Sequence, residues 1–117
     1  MLLVEDQMIV AMQIEDMLRA IGCEVVGPVG TLQAAVALAH EEALDLAVLD
    51  VNLDGEKVYP AAEELQARGI PFILATGYGK STLPEKWRDL PRLSKPFGPG
   101  ELEQLLRSVA SRSHARA

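Results

Sequence analysis

The chain has very little cysteine. Its single residue, Cys23, excludes an internal disulfide framework and packs as a small apolar side chain in CEVVG. Aromatic residues are also scarce, at 4%. No apolar run approaches the roughly 20 residues that a membrane-spanning helix requires. Glu5 and Asp6 follow a very short apolar start, so no cleavable signal is visible and a cytoplasmic location is expected. Positive charge is in deficit as well: 11 Lys and Arg stand against 17 Asp and Glu, a net charge of −6, which disfavours broad attraction to nucleic acid or anionic lipid. Only the tail RSVASRSHARA is basic.

What is present is globular. Apolar residues make up 49% of 117 residues, enough for one domain with one core and too few for two. Apolar runs alternate with helix-period segments. MLLV (1–4) reads as a first strand. Ile9, Val10, Ile14, Met17, Leu18 and Ile21 form one helical face, with Gly22 as its C-terminal cap. CEVVG gives a second strand, and Thr31 caps a helix over TLQAAVALAHEEA. LAVLD is the third strand. A helix follows from about Glu56 to Arg68, burying Val58, Ala61, Ala62 and Leu65, with Pro60 in its first turn and Gly69 closing it. PFILAT (71–76) is the fourth strand. The stretch from Gly77 to Pro91 leaves room only for a short helix near Pro84 to Asp89, with Trp87 as an anchor to the body. RLS is a brief fifth strand. The last helix runs from Pro99 to about Ser111, with Leu102, Leu105, Leu106 and Val109 on one face, and 113–117 form a disordered tail. The pattern predicts an α/β fold, (βα)5, with a five-stranded parallel sheet between helices on both faces.

In such a sheet the carboxyl ends of the strands share one edge, where ligands collect. Here those ends carry Glu5 and Asp6, Asp50, Thr76 and Lys95. Three carboxylates within 4 to 6 Å repel by roughly 3 to 4 kcal/mol per pair, more than one lysine offsets. A divalent cation does offset it, and an all-oxygen site with open positions suits Mg²⁺. Phosphoryl transfer to a carboxylate is the natural chemistry, with Lys95 and Thr76 on the phosphoryl oxygens and Gly77 leaving the approach open.

Three other motifs compete. DVNLDG (50–55) imitates the start of an EF-hand loop, but its twelfth position is Ala61 instead of Glu and a strand precedes it. GYGKST (77–82) resembles the end of a P-loop, but the first glycine would fall on Leu74 and Pro84 spoils the helix. LDVNLDG matches the nucleophile motif of haloacid-dehalogenase-like phosphatases, whose acid two residues on is here Asn52, which does not titrate. His40 and His114 are expected at the surface, away from the site.

With VED at 4–6, the Asp of LAVLD, Thr76 in LATG and KPF at 95–97, nearly the whole chain resembles the receiver domains of bacterial two-component response regulators. The resemblance implies a flavodoxin-like fold with strand order 2-1-3-4-5, over a receiver unit at 1–112. It implies Asp50 as phosphoacceptor, Glu5 and Asp6 as the acidic pair, and Mg²⁺ held by Asp6, Asp50 and the backbone carbonyl of Asn52, with Glu5 alongside. Thr76 and Lys95 become the switch and phosphate-binding residues, with a cis bond before Pro96. The implied partners are a sensor histidine kinase or histidine phosphotransfer protein as donor and a downstream protein as target. The chain departs from the family at Arg92, where an aromatic switch residue is usual. PFILATGYG is similar to the subgroup with a Phe-Ala-Thr-Gly-rich fourth strand and a short or irregular fourth helix, and Tyr78 is then its mobile aromatic. A single-domain regulator is expected, with no output domain after the last helix. A receiver excised from a larger regulator or hybrid kinase, and a degenerate receiver that binds without phosphorylation, are the other readings within the family.

Overall fold

The computed structural model describes residues 1–41, 43–77, 83–87, 90–95 and 97–115, with side chains as far as 109. Five strands form a parallel sheet: β1 (Leu2–Val4), β2 (Val26–Val29), β3 (Ala47–Asp50), β6 (Phe72–Thr76) and β7 (Arg92–Ser94), in the order β2-β1-β3-β6-β7. Two further strands, β4 (Asn52–Leu53) and β5 (Glu56–Lys57), make a separate antiparallel hairpin between β3 and the next helix. The helices are α1 (Met8–Ala20), α2 (Leu32–Glu41), α3 (Tyr59–Ala67) and α4 (Pro99–Ala115). Counted without the hairpin, the order is the expected 2-1-3-4-5 of a flavodoxin-like sheet.

Alternation along the buried strands feeds two apolar clusters, one on each face of the sheet, where a single core was expected. Leu2, Val4, Ala47, Leu49, Phe72 and Leu74 face α2 and α3, where Ala35, Ala39, Ala62 and Leu65 complete one cluster. Leu3, Val48, Ile73 and Leu93 face the other way and meet Ile14 and Leu18 of α1 and Leu102, Leu106 and Val109 of α4. The period of two along each strand is what lets one short apolar run serve both layers.

The helix ends explain one departure from expectation, the shift of β2. Gly22, at φ 90°, donates to Arg19 O at 3.1 Å, and Cys23 N donates to Leu18 O at 3.0 Å, a Schellman closure of α1. That closure consumes residues 21–23, so β2 begins at Val26 instead of Cys23 and includes Pro28, which an edge strand tolerates. Gly27 is required within it: φ is 103°, and an added Cβ would lie 2.9 Å from Leu3 O. Gly69 closes α3 in the same way as Gly22, as its position suggested, with Ile70 N on Leu65 O at 2.9 Å.

Other boundaries also moved. Residues 56 and 57, expected in a helix, pair as β5, and α3 starts at Tyr59 with Pro60 in its first turn. On α1 the buried stripe is Ala11, Ile14 and Leu18; Ile9 is 74% exposed and Ile21 37%. Ile9 stands two residues from Ala11, about 200° around the helix, and so faces away from the sheet. Thr31 does cap α2, its Oγ1 accepting from Ala34 N at 3.2 Å. The weak segment contains a 3₁₀ turn at Glu85–Trp87 and no longer helix among its described residues. Trp87 is buried there, stacked on Tyr59 and edge-on to Phe72, each at 5.9 Å between ring centres. α4 continues to Ala115, past the expected end near Ser111 and into the expected tail. His40 lies at the surface, 3.0 Å from Glu64. Trimming at strand ends is minor: β1, β3 and β6 each lose one expected residue.

Candidate functional site

Three strand ends carry buried polar side chains, and all three are on one edge: Glu5 after β1, Asp50 ending β3 and Thr76 ending β6, each under 10% exposed. Burying carboxylates is costly unless something holds their charge. Lys95, just past β7, supplies it, with Nζ 2.6 Å from Glu5 Oε1 and 3.2 Å from Asp50 Oδ1. The lysine is held by its own backbone, since Lys95 N donates to Thr76 O at 2.9 Å and so extends the β6–β7 ladder by one rung. Glu5 has both oxygens engaged, because Oε2 accepts from Gln7 N at 3.2 Å.

Asp6 occupies the turn into α1, half-buried, and its Oδ2 accepts from Asp54 N at 2.9 Å. Glu5, Asp6 and Asp50 each present an oxygen within 4.8 Å of the others. Magnesium bonds oxygen at about 2.1 Å, so ligands on opposite sides of the ion stand about 4.2 Å apart. At most one pair among three ligands can stand opposite, and neighbouring oxygens are about 3.0 Å apart, so the three carboxylates would draw together to share an oxygen-coordinated divalent ion. Asn52 opens β4 two residues beyond Asp50, beside the acids in the chain.

The electrostatics show why such an ion suits the site. Burial, then hydrogen bonding to Glu5 and its charge, push Asp50 up to about 7, against the pull of Lys95. One lysine does not balance three acids, and the proton on Asp50 stands in for missing positive charge. For Asp6, burial works against the charged form, but hydrogen bonds from Asp50, the Asp54 amide and Glu5 outweigh it and hold the carboxyl below its ordinary value. Burial likewise opposes charge on Lys95, and is overcome by the Glu5 hydrogen bond and the Asp50 and Glu5 charges, which raise it.

The sequence thus brought Glu5, Asp6, Asp50, Thr76 and Lys95 to one edge, where the structure also has them. Gly77 is exposed at the end of β6. Arg92 does not reach the acids in any described contact. It opens β7 with its Nε buried and without a hydrogen-bond partner among the described residues, and lines a groove of about 370 Å³ beside Glu101, Gln104 and Ser108 of α4. Tyr78, and Pro96 with its expected cis bond, lie outside the described residues. Asp54 was missed by sequence reasoning. The signal was available: Asp-Gly between short strand-like segments is the commonest mark of a two-residue hairpin.

A family model for the response regulator receiver domain matches residues 1–107. The transcriptional regulatory protein PdtaR of Mycobacterium tuberculosis is 33% identical over 115 residues, which are 95% of this chain and 56% of that protein. The chain thus spans about half the length of this curated relative. The solved structure of SdrG from Sphingomonas melonis Fr1 matches with a TM-score of 0.82 at 41% identity, covering 92% of each chain. Its BeF3-activated conformation matches at 0.80 and 39%, covering 93% of each. The receiver domain of the sensor histidine kinase PA1611 from Pseudomonas aeruginosa PAO1, solved with a magnesium ion in its active-site cleft, matches at 0.77 and 29%, over 94% of this chain and 95% of that one. With the family model covering most of its length and the expected sheet order in place, this chain belongs to the response regulator receiver domain family.

Proposed function

We propose that this receiver accepts a phosphoryl group on Asp50 from a partner's phosphohistidine, in a magnesium-dependent reaction, and thereby switches its contacts with other proteins. The observation that carries this reading is the pairing of Asp50 with Lys95 Nζ at 3.2 Å beside two further acids, at the sheet edge where a ligand enters. An Asp50 oxygen forms the new O–P bond as the P–N bond of the donor breaks, and the imidazole nitrogen keeps the electron pair. Lys95 binds one phosphoryl oxygen, and the Thr76 hydroxyl donates to another. Asp6, Asp50 and the Asn52 carbonyl would hold Mg²⁺, with Glu5 chiefly engaged in holding Lys95. Magnesium, when bound, neutralises charge on the phosphoryl oxygens. The chain modifies itself in this scheme and turns over no separate substrate.

Support comes from the relatives: PA1611 carries magnesium in its cleft, and BeF3, a phosphoryl stand-in, activates SdrG. The donor would be a sensor histidine kinase or histidine phosphotransfer protein, and the output a protein partner; the net charge of −6 disfavours direct nucleic-acid or membrane binding. Among the described residues no helix is long and apolar enough to cross a membrane, and a cytoplasmic site of action fits the donor chemistry. The receiver unit would span 1–112, of the subgroup with the Phe-Ala-Thr-Gly-rich fourth strand. A second reading, that the unit works inside a longer regulator, is favoured by its covering 56% of PdtaR.

Incubation with a small phosphodonor and Mg²⁺, followed by intact mass measurement, tests the proposal. A phosphoryl adduct that is absent without metal and absent in Asp50→Asn is expected. Equal adduct in that variant would move the acceptor elsewhere. No adduct under any condition would leave a binding module that works without phosphorylation.

A further inference from the structure

Between β3 and α3 the chain makes a hairpin that a strand-to-helix connection does not need. Its turn is Asp54–Gly55, with φ 51° and 89°, both left-handed, as a two-residue type I′ turn demands. The base is locked: Val51, Leu53 and Val58 are each at most 3% exposed, and Val58 N donates to Val51 O at 2.9 Å. The tip is pinned too. Asp54 N donates to Asp6 Oδ2 at 2.9 Å, across 48 positions of sequence.

We propose that the Asp54–Gly55 turn is a positioning element for Asp6, fixing one carboxylate oxygen on a backbone amide so that the other is presented to a divalent cation beside Asp50. This rests on the magnesium reading above. The physical reason lies in what Asp6 lacks. It sits in a loop with no described contact to the lysine that anchors Glu5 and Asp50, and its side-chain partners Asp50 and Glu5 are carboxyl groups that can themselves turn, so the Asp54 amide is what ties it to a rigid element. A main-chain donor suits that task because it cannot change rotamer, and here it is carried by a turn whose base is part of the core. The aspartate side chain at 54 is secondary; the amide and the left-handed backbone that aims it do the positioning.

Gly55 offers a clean test, since an added Cβ there meets nothing within 4 Å and only the φ of 89° resists a side chain. Gly55→Val therefore strains the turn without a clash, whereas Gly55→Asn keeps a residue that tolerates left-handed backbone. Titration calorimetry with MgCl₂ should show Gly55→Val binding about 10- to 100-fold more weakly than wild type, the usual effect of losing a ligand's supporting hydrogen bond. Gly55→Asn should return to within about threefold. A second readout needs no metal. Amide hydrogen exchange at Asp54 should accelerate at least about tenfold in Asp6→Ala, which removes the acceptor. Unchanged exchange in Asp6→Ala would overturn the proposal, as would wild-type affinity in a folded Gly55→Val. Wild-type protein that binds no Mg²⁺ would overturn the magnesium reading together with it, an outcome distinct from normal binding that Gly55→Val leaves unaltered.

Discussion

Removing the acid proposed to do the chemistry should make the metal-free protein more stable. Asp50 faces Glu5 and Asp6 with oxygens within 4.8 Å. At an effective dielectric near 20 each such pair repels by about 3.5 kcal/mol. Against this stands the contact with Lys95 at 3.2 Å, an attraction of about 5 kcal/mol on the same scale. Asp50→Asn removes both repulsions and the one attraction, leaving a gain of about 2 kcal/mol, or about 8 °C in melting temperature for a domain of this size. The gain depends on pH in a defined direction. Asp50 is raised from its ordinary 3.8 to about 7, so the folded state holds its proton more tightly than the unfolded chain. The stability this brings is full below 3.8 and is lost as pH climbs through about 7. The Asn variant should therefore melt highest relative to wild type at pH 8.5 in EDTA, with the difference shrinking toward pH 6. Saturating Mg²⁺ should close the gap from the other side, since a ligand at 100 times its dissociation constant adds about 2.7 kcal/mol to the wild type alone. Differential scanning calorimetry of both proteins across pH, with and without metal, measures all of this. A variant that melts below wild type at pH 8.5 in EDTA, or a difference that is flat across pH, would refute the electrostatic account of the site.

Lys95→Met leaves Glu5, 3% exposed, without its cation, and should cost about 3 to 5 kcal/mol by thermal melting while abolishing the phosphoryl adduct. Undiminished stability would mean that Glu5 does not depend on Lys95. Adduct formation at low Mg²⁺ should fall as pH drops through about 7, because a protonated Asp50 is no nucleophile; saturating metal should move that midpoint downward by competing with the proton. Intact mass against pH at two metal concentrations reads it, and a midpoint indifferent to metal would count against the shared site. Arg92→Tyr should leave adduct formation within about threefold, since Arg92 makes no described contact with the acids, and should change partner capture more. Loss of the adduct in that variant would place Arg92 in the reaction.

The sheet and its edge were legible because they depend on short-range patterns. LAVL and FILA are buried on both faces, so each reads as an unbroken apolar run, and the polar residue that stops it marks the edge. What escaped was set by tertiary or cap geometry. The apolar spacing of α1 admits Ile9 on its buried face, but the stripe that meets the sheet is centred on Ala11, Ile14 and Leu18, and only the docking of the helix decides between them. β2 shifted because the closure of α1 uses the backbone of Gly22 and Cys23. Glu56 and Lys57 have respectable helix propensity, yet Asp-Gly ahead of them commits the chain to a turn that pairs them with Asn52 and Leu53.

The same hairpin bears on how charge at Asp50 reaches the surface with no aromatic at position 92. Two rigid links leave the site through described contacts. One runs from Lys95 through its backbone to Thr76 and the end of β6; the other runs from Asp6 through the Asp54 amide into β4–β5 and, by way of Val58, into α3. A phosphoryl group on Asp50 would compete with Glu5 for Lys95 Nζ, now 2.6 Å from the glutamate, and so acts on the first link directly. It reaches the second only through Asp6 and whatever ion Asp6 shares with it. Arg92 borders the first link: it precedes Lys95 by three residues on an edge strand, and its buried Nε has no described partner to lose. A side chain so placed need not swing inward to report a change at Lys95, because a shift of β7 against α4 alters the groove it already lines. If Asp50 is phosphorylated as proposed, the β7–α4 groove, joined to Lys95 through β7, is the first place to look for a response, ahead of α3.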